Sequence, residues 1–473
     1  MSQVSVRQAS AAGERGIDLA IARAGDWLAS RQTAIRRIQW IVVFSYVALL
    51  AIPAALPLPP RAAHVWNDVT LFAQFVFWGL WWPFVLLSMV FVGRAWCGLL
   101  CPEGTLTEAV SRHGRGWAIP HWLQWKGWPF VAFACTTIYG QMVSVYQYPG
   151  PALIVLGGST VAAMGIGYFY GRYKRVWCRY LCPVTGVFGL LSKLAPLHFR
   201  VDTEAWSKWK KPRGAPSPRL DCAPLVPVRT MRGATICHMC GKCNGFRGAV
   251  TLARRSPNDE IVNVAGDRTK PWETVLIAFG LMGLAAGAFH WSSSARYVAV
   301  KQAIAEWLVS NDIYWPLEPV LPWFILTNYP AQNDTMTPID GVVLVGYLVA
   351  ASLVVGVAVC AALAAAARAC GPWSWPRYHH FAQALIPVAG CGVFLGLSSL
   401  TVTMLKAEGV TLAFVGLLRA GFLAGAALWS LWLGWRIAGR YAAGAGPRLL
   451  ALAGVAGAIA VGCYVWAALF WKF

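Results

Sequence analysis

Long apolar runs, separated by short basic or acidic segments, recur along the whole chain. Most runs hold about 20 residues, the length that an α-helix needs to cross the hydrocarbon core of a bilayer. We therefore predict an all-α integral membrane protein. Residues 1–38 are polar and lack a cleavable signal pattern, so this segment should stay attached on the cytoplasmic side. The nine expected spans are 39–57, 69–92, 127–147, 151–170, 273–291, 341–366, 381–404, 411–434 and 449–471.

Composition excludes an ordinary soluble domain, because 58% of the 473 residues are hydrophobic, only 12% are charged and 26 are Trp. The net charge of +21 would suit nucleic acid, but its distribution argues against that partner. Between Arg172 and Lys270 there are 19 basic and 6 acidic residues, whereas residues 292–340 hold two basic and five acidic ones. This asymmetry follows the positive-inside rule. We expect a multi-pass protein of the cytoplasmic (inner) membrane that binds no nucleic acid.

The spans divide the chain into five predicted parts. Residues 39–195 contain two copies of a unit made of two spans and a cysteine motif. Residues 196–271 are a small cytoplasmic insert with a Pro-rich, basic opening at 206–218. Residues 272–340 hold the fifth span and an extracytoplasmic loop, and residues 341–473 form a four-span module. With the N-terminal segment 1–38, this organisation places every basic loop in the cytoplasm.

Two copies of Arg-x-Trp-Cys-x-x-x-Cys-Pro, at 94–102 and 175–183, follow the second and fourth predicted spans. A third motif, Cys-x-x-Cys-x-x-Cys, occupies 237–243. Paired cysteines with Pro after the last one are typical of iron–sulfur ligands. We predict that eight thiolates on the cytoplasmic side, where disulfides are disfavoured, hold two [4Fe–4S] clusters. The predicted ligands are Cys97, Cys101, Cys178, Cys182, Cys222, Cys237, Cys240 and Cys243.

The remaining five of the 13 cysteines receive no ligand role. Cys135, Cys360, Cys391 and Cys463 lie in spans, where we expect small buried hydrophobic side chains, and Cys370 sits alone at a span end. Zinc is the alternative metal, since four thiolates also form structural zinc sites. The spacing and the Pro after Cys favour iron–sulfur clusters.

Two partitions of the eight ligands are open. The simpler one gives Cys97, Cys101, Cys178 and Cys182 to one cluster and the other four to the second. In the interlocked one, the Cys before a Pro completes the other cluster, as happens in two-cluster ferredoxins. Cys101 or Cys182 would then join the Cys237 triplet. We favour the simpler partition.

The three motifs resemble those of the membrane polyferredoxins of the NapH, NosR and CcoG-like type over roughly residues 70–250. The resemblance implies a helical membrane domain with a ferredoxin-like iron–sulfur insert, two four-iron clusters on the cytoplasmic side, and electron transfer in a respiratory or assembly pathway. One departure concerns the fourth cysteine, which the family places after three intervening residues from the third. Here the chain continues Asn-Gly-Phe-Arg247 after Cys243, so Cys222 is the predicted substitute.

Basic residues beside the motifs are predicted to offset cluster charge and raise the reduction potential. They are Arg94, Arg175, Arg179 and Lys242, and they would also serve as positive-inside anchors. We do not expect haem, because His290, His379 and His380 offer no facing pair at one depth. Arg419 falls within a predicted span, which marks it as a functional candidate unless it lies in a short loop.

The predicted function is electron relay through membrane-bound iron–sulfur clusters, from a quinol or a cytoplasmic donor to a redox partner. A quinone site remains open. One alternative is an assembly factor that reduces a metal or cysteine in a respiratory complex. Another is a transporter or sensor with structural clusters, although the sequence has no Walker A motif for ATP-driven transport.

Residues 292–340, with three Trp and five acidic residues, are predicted either to dock an extracytoplasmic partner or to rest at the lipid headgroups.

Overall fold

The computed structural model describes residues 3–60, 62–210, 220 and 222–471. Eight helices in this part of the chain are long and apolar enough to cross a membrane. The fold is therefore an all-α integral membrane protein, as predicted. The eight helices are Gln32–Ala55, Val69–Val92, Pro149–Tyr170, Pro271–Ser293, Pro338–Ala369, Ile386–Ala407, Val415–Tyr441 and Ala445–Trp471.

The third predicted span, 127–147, is the one that falls short. Its helix, Trp128–Met142, has 15 residues and a length of about 22 Å, against about 30 Å for a bilayer core. The chain leaves the helix at Ser144, whose φ of +51° is left-handed and incompatible with helix continuation. Each of the other predicted spans overlaps one of the eight long helices.

Three of the spanning helices contain π-helical stretches, at Phe75–Trp81, Leu153–Gly157 and Leu276–Leu284. The N-terminal helix Gln3–Ser30 is 28 residues long but polar. The shorter α-helices include Ala95–Leu99, Pro102–Ser111, Val176–Tyr180, Thr185–Leu191, Thr203–Lys208, Ala295–Ser310 and Trp375–Gln383. Two antiparallel pairs of strands are formed, Leu197–Val201 with Val250–Arg254 and Asn328–Tyr329 with Asp334–Thr335.

The chain divides into two compact units. The first, which we call the cysteine unit, comprises Met1–Tyr46, Val85–Gln124 and Ala162–Glu260, and it contains all eight predicted ligands. The second, the helical unit, comprises Val47–Phe84, Trp125–Val161 and Ile261–Phe473. The predicted basic opening of the insert lies, for its residues 211–218, outside the described residues.

The core of the cysteine unit lies over the strand pair Leu197–Val201 and Val250–Arg254. Alternate strand residues point into it, and Val250 is fully buried. Three predicted ligands belong to the same packed cluster, Cys237 among its buried members and Cys222 and Cys243 at its edge. The strand pair therefore shares one hydrophobic core with the third cysteine motif.

The N-terminal helix Gln3–Ser30 covers this insert, a contact that the polar sequence did not reveal. Asp18 Oδ1 lies 2.8 Å from Arg254 Nε on the second strand. Gly25 approaches the same strand so closely that a Cβ there would meet the Cβ of Leu252 at 2.8 Å. A glycine is thus required for the helix to lie against the strand.

The following helix, Gln32–Ala55, contacts two cysteine motifs through one face. Gln32 Nε2 donates to the carbonyl oxygen of Cys240 at 3.0 Å, and Gln39 Nε2 donates to that of Gly98 at 2.9 Å. Residues seven apart lie on the same side of a helix. Two amide side chains thus satisfy backbone carbonyls of the first and third motifs.

The helical unit is built around Pro338–Ala369, which packs against Ala445–Trp471 and against the π-helical stretch Leu276–Leu284. Leu344 and Leu348 are fully buried in its core. Such helices are apolar around their whole circumference, since one side meets other helices and the rest meets lipid.

Residues 292–340 form a structured segment of the helical unit. Helix Ala295–Ser310 is capped by Ser294, and Lys301 Nζ pairs with Asp340 Oδ1 at 2.5 Å. Trp307 and Trp315 are 59% and 64% exposed.

Two sequence predictions about the spans need correction. Cys135 is exposed, and Cys360, Cys391 and Cys463 are half-buried, because uniformly apolar helices can turn a cysteine towards lipid as readily as inwards. Arg419 lies in the second turn of helix Val415–Tyr441, so the loop alternative is wrong. Its guanidinium stands 4.4 Å from the ring centroid of Phe470.

Candidate iron–sulfur site

The two Arg-x-Trp-Cys motifs fold alike. Each forms a five-residue helix, Ala95–Leu99 or Val176–Tyr180, that begins directly after its Arg. In both copies the backbone N–H of the second Cys donates to the carbonyl oxygen of the Trp, at 2.9 Å and 3.0 Å. The following Pro then either starts a new helix or precedes one by two residues. Because the two motifs share a local fold, Cys97 corresponds in position to Cys178, and Cys101 corresponds to Cys182.

These four thiols share one neighbourhood. Cys97 and Cys178 are buried, and Cys101 and Cys182 are half-buried. Burial raises the pKa of Cys182 well above its ordinary value, with further contributions from Glu103 and from the other three cysteines of the set. Burial also raises the pKa of Cys178 to about 12. Thiols held neutral in this way are released as thiolates only when a metal replaces the proton.

The other four thiols line a single cavity. Cys222 stands there beside the triplet, although it lies 15 positions before Cys237 in the chain. The remaining wall consists mainly of apolar side chains, and it also includes His238 and Lys242. Burial raises the pKa of Cys237 to about 12, and Cys240 and Cys222 add to this shift. The structure therefore brings Cys222 into the same cavity as the cysteine triplet.

The first and third motifs touch through their backbones. A Cβ on Gly98 would lie 2.0 Å from the carbonyl oxygen of His238 and 2.9 Å from the backbone nitrogen of Cys240. Contacts this short are possible only at glycine. The residue after Cys97 and the residues around Cys240 are therefore in direct contact, which brings the two sets of thiols together.

A largely buried carboxylate, that of Glu108, joins all three motifs. Glu108 Oε2 accepts from Arg175 Nε at 2.8 Å, and Glu108 Oε1 accepts from Lys242 Nζ at 2.6 Å. Arg175 Nη1 also donates to the carbonyl oxygen of Cys97 at 2.6 Å. Burial alone would raise the pKa of Glu108, but attraction to the two cations outweighs it and lowers the pKa to about 2.

The other two predicted basic residues are placed differently. Arg94 is buried, and its guanidinium donates to the carbonyl oxygen of Thr235 at 3.0 Å and to Thr185 Oγ1 at 2.9 Å. Burial lowers the pKa of Arg179, whose guanidinium stacks on Tyr180 at 5.8 Å from the ring centroid. Because Glu108 balances one charge, Arg175 and Lys242 together add less positive charge than the sequence suggested.

Arg247 stands where the related family has its fourth cysteine. Its guanidinium lies 5.2 Å and 4.9 Å from the ring centroids of Trp206 and Trp209, and 5.5 Å from that of Phe246. Cation–π contacts of this kind stabilise a packed structure. Here the position supports the helix Thr203–Lys208 and its aromatic side chains.

The histidines of the helical unit make hydrogen bonds within the protein. His379 Nδ1 lies 2.9 Å from Thr274 Oγ1, and His290 Nδ1 lies 3.0 Å from the hydroxyl of Tyr347. His380 is fully buried, with Nε2 at 2.8 Å from the carbonyl oxygen of Ile261. These contacts tie helices together at three places.

The donor set can be tested for its fit to a cluster. Among the described residues, no three Cys, His, Asp or Glu side chains lie close enough to share one metal ion. A four-iron cube takes one thiolate at each of four separate corners, so the relevant test is whether four thiols line a common space. The cavity lined by Cys222, Cys237, Cys240 and Cys243 meets it.

Comparison with known proteins agrees with this chemistry. Residues 74–120 and 155–211 match the model of the 4Fe-4S binding domain family, and these ranges include the two Arg-x-Trp-Cys motifs. The chain is thus similar to a 4Fe-4S binding domain over these two stretches. It is 24% identical over 265 residues to the protein of Escherichia coli (strain K12) that bears the name "Putative electron transport protein YccM". That match covers 50% of this chain and 69% of the relative, and no solved structure matches significantly.

These findings confirm the resemblance to membrane 4Fe–4S proteins and support an iron–sulfur electron-transfer role. Sequence reasoning missed three residues of the site, Glu108, His238 and Gln32. Glu108 lay seven positions beyond Cys101 in a helix that contains no basic residue, so no local signal pointed to it.

Proposed function

We propose that the protein binds two [4Fe–4S] clusters and relays electrons between a donor and a redox partner. The observation that carries this proposal is the cavity in which Cys222 joins Cys237, Cys240 and Cys243. A bound cluster supplies one-electron chemistry. The chain's part is to provide four thiolates for each cluster, exclude water around them and set the local charge.

The simpler partition of ligands is the one we propose. Cys182 is influenced electrostatically by Cys97, Cys101 and Cys178, and Cys243 by Cys237, Cys240 and Cys222. The cysteines that act on each of these two thiols thus belong to its own set. The contact of Gly98 with His238 and Cys240 favours a short path between the two clusters.

We place both clusters on the cytoplasmic side, since the loops that carry them are basic. Arg175 contacts Glu108, so the chain between these residues must return to the same side although the helix Trp128–Met142 is short. A cytoplasmic donor would then meet a positively charged surface at residues 172–270, which favours an acidic redox protein. A quinol within the membrane is the other donor that we retain, because a bilayer core of about 30 Å separates this side from an extracytoplasmic acceptor.

An extracytoplasmic partner is supported by residues 292–340. Trp307 and Trp315 are more than half exposed on a segment held in place by the pair Lys301–Asp340. Exposed aromatic side chains on an ordered scaffold suit a docking surface. A partner that is assembled or reduced there would make the protein a maturation factor, which is the second function we retain.

Anaerobic purification with quantification of iron, acid-labile sulfide, zinc, haem and flavin tests the proposal. Two clusters predict about eight irons and about eight sulfides per chain. Close to four irons would contradict the second cluster, and stoichiometric zinc would contradict the iron–sulfur assignment. Reduction of the clusters by a quinol analogue, or by a ferredoxin or flavoprotein, identifies the class of donor.

A further inference from the structure

His238 carries a buried polar atom without a partner. Its side chain is 2% exposed, and its Nδ1 has no hydrogen-bond partner among the described residues. A buried nitrogen left without a hydrogen bond destabilises the folded state, so such a group calls for an explanation. His238 follows Cys237 directly and lines the cavity of the four thiols.

The charged neighbours of His238 cannot satisfy a ring N–H. Arg94, Arg175 and Arg179 all act electrostatically on the imidazole. A guanidinium has donors only, so none of the three can accept a hydrogen bond from the ring. The carbonyl oxygen of His238 itself faces Gly98. The cavity that His238 lines is the place left for an acceptor of the Nδ1–H hydrogen bond.

We propose that His238, with its proton on Nδ1, donates a hydrogen bond to a sulfur of the cluster assigned to Cys222, Cys237, Cys240 and Cys243. This inference rests on the proposed function, since it needs that cluster. A reduced cluster carries one more negative charge than an oxidised one and accepts the hydrogen bond more strongly. His238 thereby raises the reduction potential of this cluster.

A pair of variants separates the hydrogen bond from the shape of the side chain. In His238→Asn the amide nitrogen can occupy the place of Nδ1, whereas His238→Leu has a similar size and no donor. Potentiometric titration followed by electron paramagnetic resonance would measure both clusters in each variant. We expect a shift to lower potential in His238→Leu, confined to the Cys222–Cys243 cluster, and a potential close to the native one in His238→Asn.

His198 provides the matched control, because its Nδ1 is also buried and unpartnered while the residue lies on strand Leu197–Val201 and does not line the cavity. His198→Leu should leave both potentials unchanged. Equal potentials in His238→Leu and His238→Asn, or a shift confined to the other cluster, would overturn the inference alone. Absence of this cluster from the native protein would overturn the proposed function with it.

If His238→Leu loses the cluster, its reduction potential has no value to compare. A second measurement therefore uses the native protein. Histidine labelled with ¹⁵N should produce a hyperfine coupling to the reduced cluster in pulsed electron paramagnetic resonance. His238→Asn should abolish this coupling. If the labelled native protein gives no coupling, the hydrogen bond is absent.

Discussion

Glu108 Oε1 lies 2.6 Å from the ammonium nitrogen of Lys242, although 134 positions separate the two residues in the chain. Lys242 stands inside the Cys240–Cys243 motif, and Glu108 lies on the helix Pro102–Ser111 that follows the first motif. The second carboxylate oxygen accepts from Arg175, which opens the second motif. One side chain therefore holds three segments of the iron–sulfur site in place.

Glu108→Gln should destabilise the cysteine unit by about 3 kcal/mol at neutral pH. The substitution leaves Arg175 buried without its counter-charge, and breaking a buried ion pair costs on this order. The pKa of Glu108 is lowered from 4.5 to about 2, so the carboxylate's contribution is complete above about pH 4.5 and is lost as pH falls towards 2. Thermal unfolding in detergent should therefore show a native–variant difference that shrinks below about pH 4.5.

The matched control is Glu204→Gln. Glu204 and Lys208 also form an ion pair, but both side chains are about three-quarters exposed. Exposed pairs of this kind contribute little, typically below about 1 kcal/mol. Equal losses of stability in the two variants would show that burial of Glu108 has no special effect.

Cys222→Ser should remove or convert one of the two clusters. Cys222 lines the cavity of the Cys237 triplet, and a serine hydroxyl is a weaker ligand for iron than a thiolate. Iron content should fall by about half, or a three-iron signal should replace a four-iron one. Cys370→Ser, which lies outside both sets of thiols, should retain full iron. Native iron content and an unaltered spectrum in Cys222→Ser would refute the ligand role.

Gly98→Ala should disrupt the contact between the first and third motifs. The added methyl group would lie 2.0 Å from the carbonyl oxygen of His238, a backbone atom that cannot move alone. We expect reduced content of both clusters and faster cluster loss in air, measured by visible absorption. Gly158→Ala is the control, because nothing lies within 4 Å of its added carbon. Normal cluster content in Gly98→Ala would mean that the backbone contact is not needed.

Replacing Trp307 and Trp315 with Ala should impair delivery of electrons to an extracytoplasmic partner, or its maturation. Both indoles are largely exposed, so their loss should leave folding and cluster content unchanged. The measurement is respiration in cells that depend on this protein, together with iron content of the purified variant. Phe44→Ala, which truncates a 68% exposed ring on a membrane helix, is the control. Full activity in the double Trp variant would leave the segment as a membrane contact only.

Much of the fold could be predicted because the bilayer imposes one solution. Apolar runs of sufficient length must form helices, since no other local structure satisfies the backbone in lipid. Hydropathy predicted a full span at 127–147, whereas the helix Trp128–Met142 is shorter, because hydropathy does not detect a left-handed residue such as Ser144. The N-terminal helix was not predicted either, because it packs against the strand Val250–Arg254, which is far away in the sequence.

Seven of the eight cysteines were predicted as ligands from their motifs, and Cys222 from the absence of a fourth thiol after Cys243. The family match covers the four cysteines of the first two motifs, and the other four line one cavity. Iron–sulfur ligands can be predicted from the local spacing of cysteines, because ligands on one short loop need a spacing that a cluster can accept. The contacts that join the motifs had no local signature. The reach of Glu108 to Lys242 and the unpartnered Nδ1 of His238 arise only when segments far apart in the chain pack together. Sequence alone therefore determined the membrane class and predicted a set of donor atoms, while long-range packing decided which segments meet, and what charge and hydrogen bonds surround the cysteines.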